Sequence, residues 1–352
     1  MISTPSFIDL HTHTRYPDND NFQYREIEKA AKYGGYSDIL AMANSEIIID
    51  SIENLSVAKE IDKKLNLKIH RVAALSKNLN GNELVNYKEF ADKGIRIFSD
   101  DGKSLINDEL ADLAFKTLAK LDCGIFQHCE LNCHSNPGDI APPKLNNELI
   151  EIYEEEELKI LERDLKLVEK YKTRYHAQHI STKKSLDMIS RAKKLGLPVT
   201  TEVSPHHLLL SNENITFTDG TYKMYPPIRS ESDRNALVQG LKDGVIDVIA
   251  TDHAPHPKES KNINFKQAAR GVVGLESTFP VLFSSGLFSL DELITFLHIN
   301  PKKILKQLGY RVAKTNKISW SITETSFTTK TSYKNSTFEN TKVLIRKELF
   351  NV

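Results

Sequence analysis

The sequence predicts an α/β fold, a closed (β/α)8 TIM-like barrel over residues 1–310 followed by a small β-rich appendage over residues 311–352. Two observations lead to this prediction. From Phe7 to about Leu305, short apolar runs alternate with longer amphipathic patterns, which is typical of βαβ units in a parallel sheet. Eight such runs occur, and eight repeats fit a closed barrel better than an open, doubly wound sheet.

The elements follow in order along the chain. The predicted strands are Ser6–Leu10, Asp38–Met42, Lys68–Leu75, Ile95–Ser99, Gly124–His128, Tyr175–Ile180, Val199–Val203 and Val245–Ala250. The predicted helices between them include Ser51–Leu65, Asn107–Leu121, Glu155–Tyr171, Lys184–Leu195 and Arg234–Asp243. After Tyr310 the chain is rich in Thr, Ser and Lys, with β-type runs at Ile318–Ile322 and Lys342–Ile345, and these runs predict the appendage.

Composition excludes several classes of function. The 352 residues carry 47 Lys plus Arg and 47 Asp plus Glu, so the net charge is zero and the basic surface of a nucleic-acid or membrane binder is missing. The sequence shows neither a signal peptide nor an apolar stretch long enough to span a bilayer. Cys123, Cys129 and Cys133 are too few for a disulfide framework. We expect a cytoplasmic protein that acts on a small molecule.

The first predicted strand ends in Asp9-Leu10-His11-Thr12-His13, a pattern that can place two imidazoles on one metal ion. Side chains at positions i and i+2 of a strand point to the same side. Active sites of parallel barrels lie at the carboxyl ends of the strands. Taken alone, the motif fits two ordinary polar residues at a strand-to-loop junction equally well.

The other strand ends strengthen the metal hypothesis. Asp101, His128, His179 and Asp252 stand at the ends of the fourth, fifth, sixth and eighth predicted strands. With His11 and His13 they give four imidazoles and two carboxylates, the ligand types expected for Zn²⁺ or a similar divalent ion. Six ligands are too many for one tetrahedral ion that also holds water. Two ions bridged by a carboxylate and a hydroxide account for all six.

Ten short motifs occur in the order found in one enzyme family. They are Asp9–Arg15, Gly34–Tyr36, Ala41–Asn44, Phe98–Gly102, His128–Glu130, His179–Thr182, Thr201–Leu208, Tyr222–Pro227, Ile249–His256 and Gly274–Glu276. On these motifs the chain resembles the type I dihydroorotases of the amidohydrolase superfamily from residue 7 to about residue 310. The resemblance implies a zinc enzyme of pyrimidine biosynthesis that interconverts N-carbamoyl-L-aspartate and (S)-dihydroorotate.

The resemblance also implies a role for each metal residue. His11 and His13 would bind the first zinc ion, and His128 and His179 the second. Asp101 and a hydroxide would bridge the two ions, and Asp252 would be a ligand of the first ion as well as the proton shuttle. Some relatives bridge their ions with a carboxylated lysine on the fourth strand. The run 95–99 contains no lysine, which favours the Asp101 bridge.

In the family, the positions of Arg15, Asn44 and His256 bind the substrate carboxylate. Arg15 can form a bidentate pair with a carboxylate, although a surface ion pair is the alternative. Asn44 supplies an amide donor, although it could instead cap a helix. We expect no metal contact from His206, His207, His253 or Cys129. The first two should have structural hydrogen bonds, and the last two should point away from the metals.

Three departures from the family pattern concern substrate and partners. Tyr225 stands where relatives carry a substrate-contacting Asn, and Arg270 next to Gly271 replaces part of a Pro-Phe-Gly segment. Relatives also begin with a β-sandwich segment, whereas Phe7 here already starts the first predicted barrel strand. The appendage 311–352 cannot rebuild that sandwich alone, so the small domain is reduced or a partner chain covers the exposed surface.

Three functions remain open on the sequence. Dihydroorotase is the leading hypothesis, and Tyr225 and Arg270 support a hydantoinase-like cyclic amidase or imidase as the second. The third is a non-catalytic subunit that scaffolds aspartate transcarbamoylase, but such a subunit would be expected to have lost metal ligands. Whether the chain forms a homo-oligomer or binds a partner of the aspartate transcarbamoylase type stays open.

Overall fold

The computed structural model describes residues 1–17, 23–131, 140 and 152–347. The strands are β1 (Ile2–Pro5), β2 (Phe7–Thr12), β3 (Tyr36–Ala41), β4 (Lys68–Arg71), β5 (Ile97–Phe98), β6 (Gly124–Gln127), β7 (Arg174–Ala177), β8 (Val199–Val203), β9 (Val248–Ile249), β10 (Lys317–Ser326) and β11 (Lys342–Lys347). The helices are α1 (Gln23–Gly34), α2 (Ile52–Asp62), α3 (Tyr87–Asp92), α4 (Asp108–Lys120), α5 (Glu154–Tyr171), α6 (Lys183–Lys194), α7 (Pro205–Leu209), α8 (Glu231–Lys242), α9 (Thr278–Ser285), α10 (Leu290–Ile294) and α11 (Asn300–Gln307). Within these described ranges, no helix has the length and apolar character needed to cross a membrane.

Strands β2 to β9 form the predicted barrel. They pair in parallel as one sheet of β2, β3 and β4 and a second of β5 to β9. Single parallel bridges close the two seams, one between Ala73 and Phe98 and the other between Thr12 and His253. All eight predicted barrel strands are therefore confirmed, as is the α/β barrel class. Strands β4, β5, β6, β7 and β9 are shorter than the predicted runs, whereas β2 and β3 are each one residue longer.

Apolar side chains fill the barrel and close its amino end. Alternate residues of the strands point inward, among them Ile8, Leu10, Leu40 and Val72. Helix α11 lies under this layer and adds Ile304 and Leu305 to the same cluster, as does Leu308 directly after the helix. Because the amino end is packed with hydrocarbon, a polar ligand can reach the barrel interior only from the carboxyl end.

A bulge in β2 turns His11, one of the predicted metal ligands, toward the interior. Asp9 pairs with Ile39 and Thr12 with Ala41, so β2 has one more residue than β3 over this stretch. The extra residue shifts the alternation of side chains. Leu10 packs in the barrel core, and the next residue, His11, also faces inward, where it meets Glu202.

A small antiparallel sheet joins the two ends of the chain. Strand β10 lies between β1 and β11, with Ile2 opposite Trp320. Trp320 is fully buried, packs with its ring centroid 4.5 Å from that of Phe279, and donates from Nε1 to Thr4 Oγ1 at 2.9 Å. The two predicted β-type runs of the appendage are confirmed as β10 and β11, whereas β1 was not predicted. The division of the chain at residue 310 stays a prediction.

Candidate active site

The six predicted metal ligands meet at the carboxyl end of the barrel. All six are buried, although they come from five different strand ends. Two sets have ligand atoms within 4.8 Å of one another, and His11 belongs to both. The first set is His11, His13 and Asp252, and the second is His11, Asp101 and His179. The two sets contain five of the six residues, and the sixth, His128, lies beside the second set with its Nδ1 2.9 Å from His179 Nε2.

The first set surrounds a small space between two strand ends. His13 Nε2 lies 3.0 Å from Asp252 Oδ1, and His11 Nε2 lies 3.5 Å from the same oxygen. Asp252 adopts a left-handed conformation with φ of 48°. Such a backbone is uncommon for a residue other than glycine and is typical of functional sites.

Asp101, a member of the second set, also faces a histidine of the first. Its Oδ1 is 3.3 Å from His11 Nε2, and its Oδ2 is 3.3 Å from His13 Nε2. On the other side, Oδ1 lies 3.7 Å from His128 Nδ1 and 3.8 Å from His179 Nε2. One carboxylate thus faces four imidazoles, which is the position that a bridging ligand requires.

The chemistry of this donor set fits divalent metal ions. Within the described residues, Asp101 Oδ1 is buried without a hydrogen-bond partner, and the ring nitrogens His128 Nδ1 and His179 Nε2 are only 2.9 Å apart. Burial would raise the pKa of Asp101, but His11 and His13 outweigh it and hold that pKa well below its usual range. Burial and His179 lower the pKa of His128 to about 3. Ionised carboxylates and neutral imidazoles are the forms in which these side chains bind metals.

Glu202 on β8 contacts His11 at Nδ1, the ring nitrogen that does not face Asp101. Its Oε1 lies 2.5 Å from His11 Nδ1, so the carboxylate can accept the Nδ1 proton and leave Nε2 for a metal. Its Oε2 lies 3.1 Å from His176 Nε2. Burial would raise the pKa of Glu202, but His11 outweighs it and lowers that pKa to about 2. No role for Glu202 was predicted, although a glutamate within a buried strand is the kind of signal that could have found it.

Five of the six predicted substrate residues line one cavity of about 130 Å³ next to the predicted metal ligands, and the sixth contacts its wall. Arg15, Asn44, Tyr225, Arg270 and Gly271 line it together with His13, Asp101 and Asp252. Since a water molecule has about 30 Å³ in the liquid, this volume suits a small compound. His256 lies just behind, where its Nε2 donates to the Arg270 carbonyl at 2.6 Å and lies 3.2 Å from Arg15 Nη2.

Two alternatives raised by the sequence can now be settled. Asn44 is not a helix cap, because Ser51 caps α2; its Oδ1 lies 2.9 Å from His13 Nδ1 and its Nδ2 donates to the Asp101 carbonyl. Arg15 is not a surface ion pair, since it is half-buried and donates from Nε to the Pro255 carbonyl. Arg15 also has a left-handed backbone, with φ of 60°.

Most residues predicted to lie apart from the metals do so. His253 Nδ1 accepts from the Gly274 amide, and His207 lies 2.7 Å from Ser204 Oγ through Nδ1. Cys129 is buried with its Sγ 3.2 Å from the Tyr175 hydroxyl. His206 differs from expectation, because its Nε2 has no hydrogen-bond partner in the part of the chain described here. Cys133 lies outside the described residues.

A positively charged groove adjoins the cavity. It has a volume of about 640 Å³, and its lining includes Arg15, Arg270, Lys223 and Lys266. Behind it, the buried Lys261 donates from Nζ to the carbonyls of Lys223 and Ala269. Burial and the neighbouring Lys223 lower the pKa of Lys261 to about 7. The approach to the site therefore favours anions.

Comparison with known proteins relates the chain to one family. The model of the amidohydrolase family matches residues 2–309. A dihydroorotase of Bacillus subtilis is 39% identical over 86% of this chain and 72% of its own length, and one of Elusimicrobium minutum is 37% identical over 87% and 72%.

Solved structures share the fold at lower identity. An L-hydantoinase of Arthrobacter aurescens has a TM-score of 0.84 at 20% identity, and the match covers 98% of this chain and 83% of that one. A dihydroorotase of Campylobacter jejuni has a TM-score of 0.75 at 16% identity, covering 99% and 97%. At such identities the likeness supports the fold alone.

The contact between Glu202 and His11 predicts an effect on metal affinity. Glu202→Gln should weaken metal binding by about ten- to 100-fold, because an amide fixes the imidazole tautomer less firmly than a carboxylate. Competition with a chromophoric chelator measures this. Asp38→Asn is the matched control, since Asp38 Oδ1 lies 2.9 Å from the buried His70 Nε2 on neighbouring strands. Equal metal affinity in the two variants would contradict the assignment.

The lowered pKa of Lys261 predicts a pH-dependent stability. Between about pH 7 and about pH 10.5 the unfolded chain binds more protons at this lysine than the folded chain, so the contribution of Lys261 to stability rises with pH. Lys261→Met removes this dependence. In urea unfolding, the free energy of the wild type minus that of the variant should therefore increase over this window. The exposed Lys116→Met is the control, and a constant difference for Lys261→Met would refute the shift.

Proposed function

This chain belongs to the amidohydrolase family, and from that premise we propose that it is a zinc-dependent dihydroorotase that interconverts N-carbamoyl-L-aspartate and (S)-dihydroorotate in pyrimidine biosynthesis. It is a cyclic amidohydrolase, as are its relatives. The observation that carries the finer assignment is that a cluster of proposed metal ligands and the half-buried Arg15 line one small cavity. Its relatives at 37–39% identity, which are named dihydroorotases, support the same substrate.

We propose that His11, His13 and Asp252 hold one zinc ion and that His128 and His179 hold the other, with Asp101 shared between them. The distances from Asp101 to all four imidazoles support this division. When bound, the two ions would lower the pKa of a water molecule and polarise the substrate carbonyl. Glu202 and Asn44 orient the two histidines of the first position.

Asp252 is the proposed proton shuttle. Its carboxylate lines the cavity, and its neighbours His11 and His13 outweigh the effect of burial and hold its pKa below the usual range, so it is ionised at neutral pH and has lone pairs free for a proton. In ring opening it would take a proton from the attacking water and give it to the ring nitrogen as the C–N bond breaks. In ring closure it would take that proton back from the carbamoyl nitrogen and return it to the departing water.

The substrate carboxylate would bind at the opposite side of the cavity. Arg15 offers a guanidinium that can form two parallel hydrogen bonds with a carboxylate. His256 lies beside it, and burial and Arg15 lower the pKa of His256 to about 3, so the imidazole is neutral. The positive groove would attract the anionic substrate. We place the enzyme in the cytoplasm, because its cysteine content fits a reducing compartment.

A hydantoinase-like activity is the second candidate. It is favoured by one contact, in which the Arg270 guanidinium lies 5.2 Å from the centre of the Tyr225 ring, within reach of a cation–π interaction. The Tyr225 ring in turn lies 4.9 Å from that of His128. A bulky stacked pair beside a metal ligand could select a ring without a carboxylate.

Substitution of Asp252 tests the reaction. Asp252→Asn should lower kcat for dihydroorotate hydrolysis by about 1000-fold, because the amide cannot carry a proton between water and the ring nitrogen. Steady-state kinetics measures kcat, and elemental analysis measures how much zinc the variant binds. Asp243→Asn, the same chemical change at the end of α8, should keep full activity. If the wild type binds zinc but does not hydrolyse dihydroorotate, the proposed dihydroorotase activity is refuted. If it binds no zinc but binds aspartate transcarbamoylase tightly, the result would indicate a non-catalytic scaffolding subunit.

Substrates with and without a carboxylate separate the two candidate activities. The wild type should prefer dihydroorotate to dihydrouracil by at least about 1000-fold in kcat/KM, because a site built for a charged group rejects a compound that lacks it. Arg15→Met should lower kcat/KM for dihydroorotate by about 10- to 100-fold and change that for dihydrouracil little. Arg270→Met removes the other arginine of the cavity. If only that variant loses activity, and dihydrouracil is the better substrate, the hydantoinase-like function is the correct one.

A further inference from the structure

The chain between β10 and β11 leaves the small sheet and reaches the rim of the active site. We call residues 327–341 the crossing segment. Two hydrogen bonds close its base, from the Phe327 amide to the Thr341 carbonyl at 2.8 Å and from the Asn340 amide to the Phe327 carbonyl at 2.9 Å. Between these bonds the backbone extends across the barrel wall. The segment belongs to the appendage in sequence, yet several of its side chains and main-chain groups contact the barrel.

Two carboxylates of the barrel fix the first half of the crossing segment. Glu276 accepts from the amides of Lys330 at 2.7 Å and Thr331 at 3.1 Å, and from Thr331 Oγ1 at 2.7 Å. Glu26 accepts from the amide and the hydroxyl of Ser332 at 2.7 and 2.8 Å. Both carboxylates are buried, so these hydrogen bonds hold the backbone in one place.

Asn335, in the second half of the segment, connects two loops of the site. Its side chain is fully buried. Oδ1 accepts from the His256 amide at 3.2 Å, and Nδ2 donates to the carbonyls of Ala254 at 2.9 Å and Gly271 at 3.4 Å. Its own carbonyl accepts from the Val273 amide at 3.2 Å. One side chain therefore ties the loop after Asp252 to the turn at Gly271.

These two loops carry the side of the cavity that we assign to the substrate carboxylate. The His256 ring donates to the Arg270 carbonyl and lies against Arg15, so its position depends on both loops. The loops are packed closely, because a Cβ on Gly271 would lie 2.6 Å from that of Ala254. Gly271 also has φ of 94°, a conformation that favours glycine. A small shift of either loop would move His256 relative to Arg15.

We propose that Asn335 is a positioning residue for substrate binding, which fixes the positions of His256 and the Arg270–Gly271 turn relative to Arg15. The proposal rests on the proposed function, since it takes Arg15 and His256 to be the carboxylate side of the site. Asn335 acts through main-chain groups of the two loops. Truncating it would leave a buried amide and buried carbonyls without partners and release the loops from each other.

Kinetics of matched variants test the proposal. Asn335→Ala should raise KM for dihydroorotate by about tenfold with kcat changed less than about threefold, which corresponds to the loss of buried hydrogen bonds that act on binding. Asn335→Asp should do at least as much, because its second oxygen would face two carbonyls. Thr331→Val is the control, since it removes a hydrogen bond of the same segment to Glu276 away from the loops. Bound zinc should be unchanged in all three variants.

Hydrogen exchange gives a reading that does not depend on the substrate. In Asn335→Ala the His256 amide should exchange at least about tenfold faster than in the wild type, and in Thr331→Val it should not change. The proposal is overturned if this amide exchanges equally in both variants, or if Asn335→Ala lowers kcat and zinc content while KM stays at the control value. If the wild type does not act on dihydroorotate, the proposed function fails, and exchange at His256 still decides whether Asn335 holds the loops.

Discussion

The structure depends on the buried Asp101 carboxylate and on the imidazole rings that surround it. Four imidazoles from three strand ends face this one group, and in the described part of the chain its Oδ1 has no hydrogen-bond partner. A buried carboxylate without compensation costs several kcal/mol, so positive charge has to be present. Burial would lower the pKa of His11, but Asp101, Glu202 and Asp252 outweigh it and raise that pKa well above its usual range. Protons can thus stabilise the cluster when metal ions are absent, and metal ions would replace those protons on binding.

The barrel meets this requirement by distorting its backbone at the strand ends. The bulge in β2 points His11 inward directly after Leu10, and left-handed conformations occur at Arg15, His179 and Asp252. Each such residue costs about 1–3 kcal/mol and persists only where its surroundings are rigid. The rigidity comes from the apolar layer that α11 closes and from the hydrogen bonds of Glu202 to two strands. The packed amino end of the barrel therefore stabilises the strained carboxyl end.

Features that a few neighbouring residues define could be predicted from the sequence. Features that depend on contacts between residues far apart in the chain could not. An HxH motif and a strand that ends in a carboxylate can be read within a few residues, so His11, His13, Asp101 and Asp252 were found. Glu202 lies 191 residues from His11, and nothing beside it in the chain shows which imidazole it meets. Strand β1 was missed because its four residues end in a proline and show no clear alternation, and it is stabilised by pairing with Trp320 at the far end of the chain.

The two sides of the site are supported by different parts of the molecule. Barrel strands hold the proposed metal ligands, and Glu202, which contacts His11 Nδ1, is itself a residue of the barrel. The opposite wall consists of loops, and their mutual position depends on Asn335 from the crossing segment. Loops exchange hydrogen bonds with water more easily than strands do. Hydrogen bonds from a separate segment, such as those of Asn335, therefore matter more for the loops than for the strand ends. Changes in the barrel would then act first on the metal ions, whereas changes in the appendage would act first on the fit of the substrate, although the two sides border the same cavity.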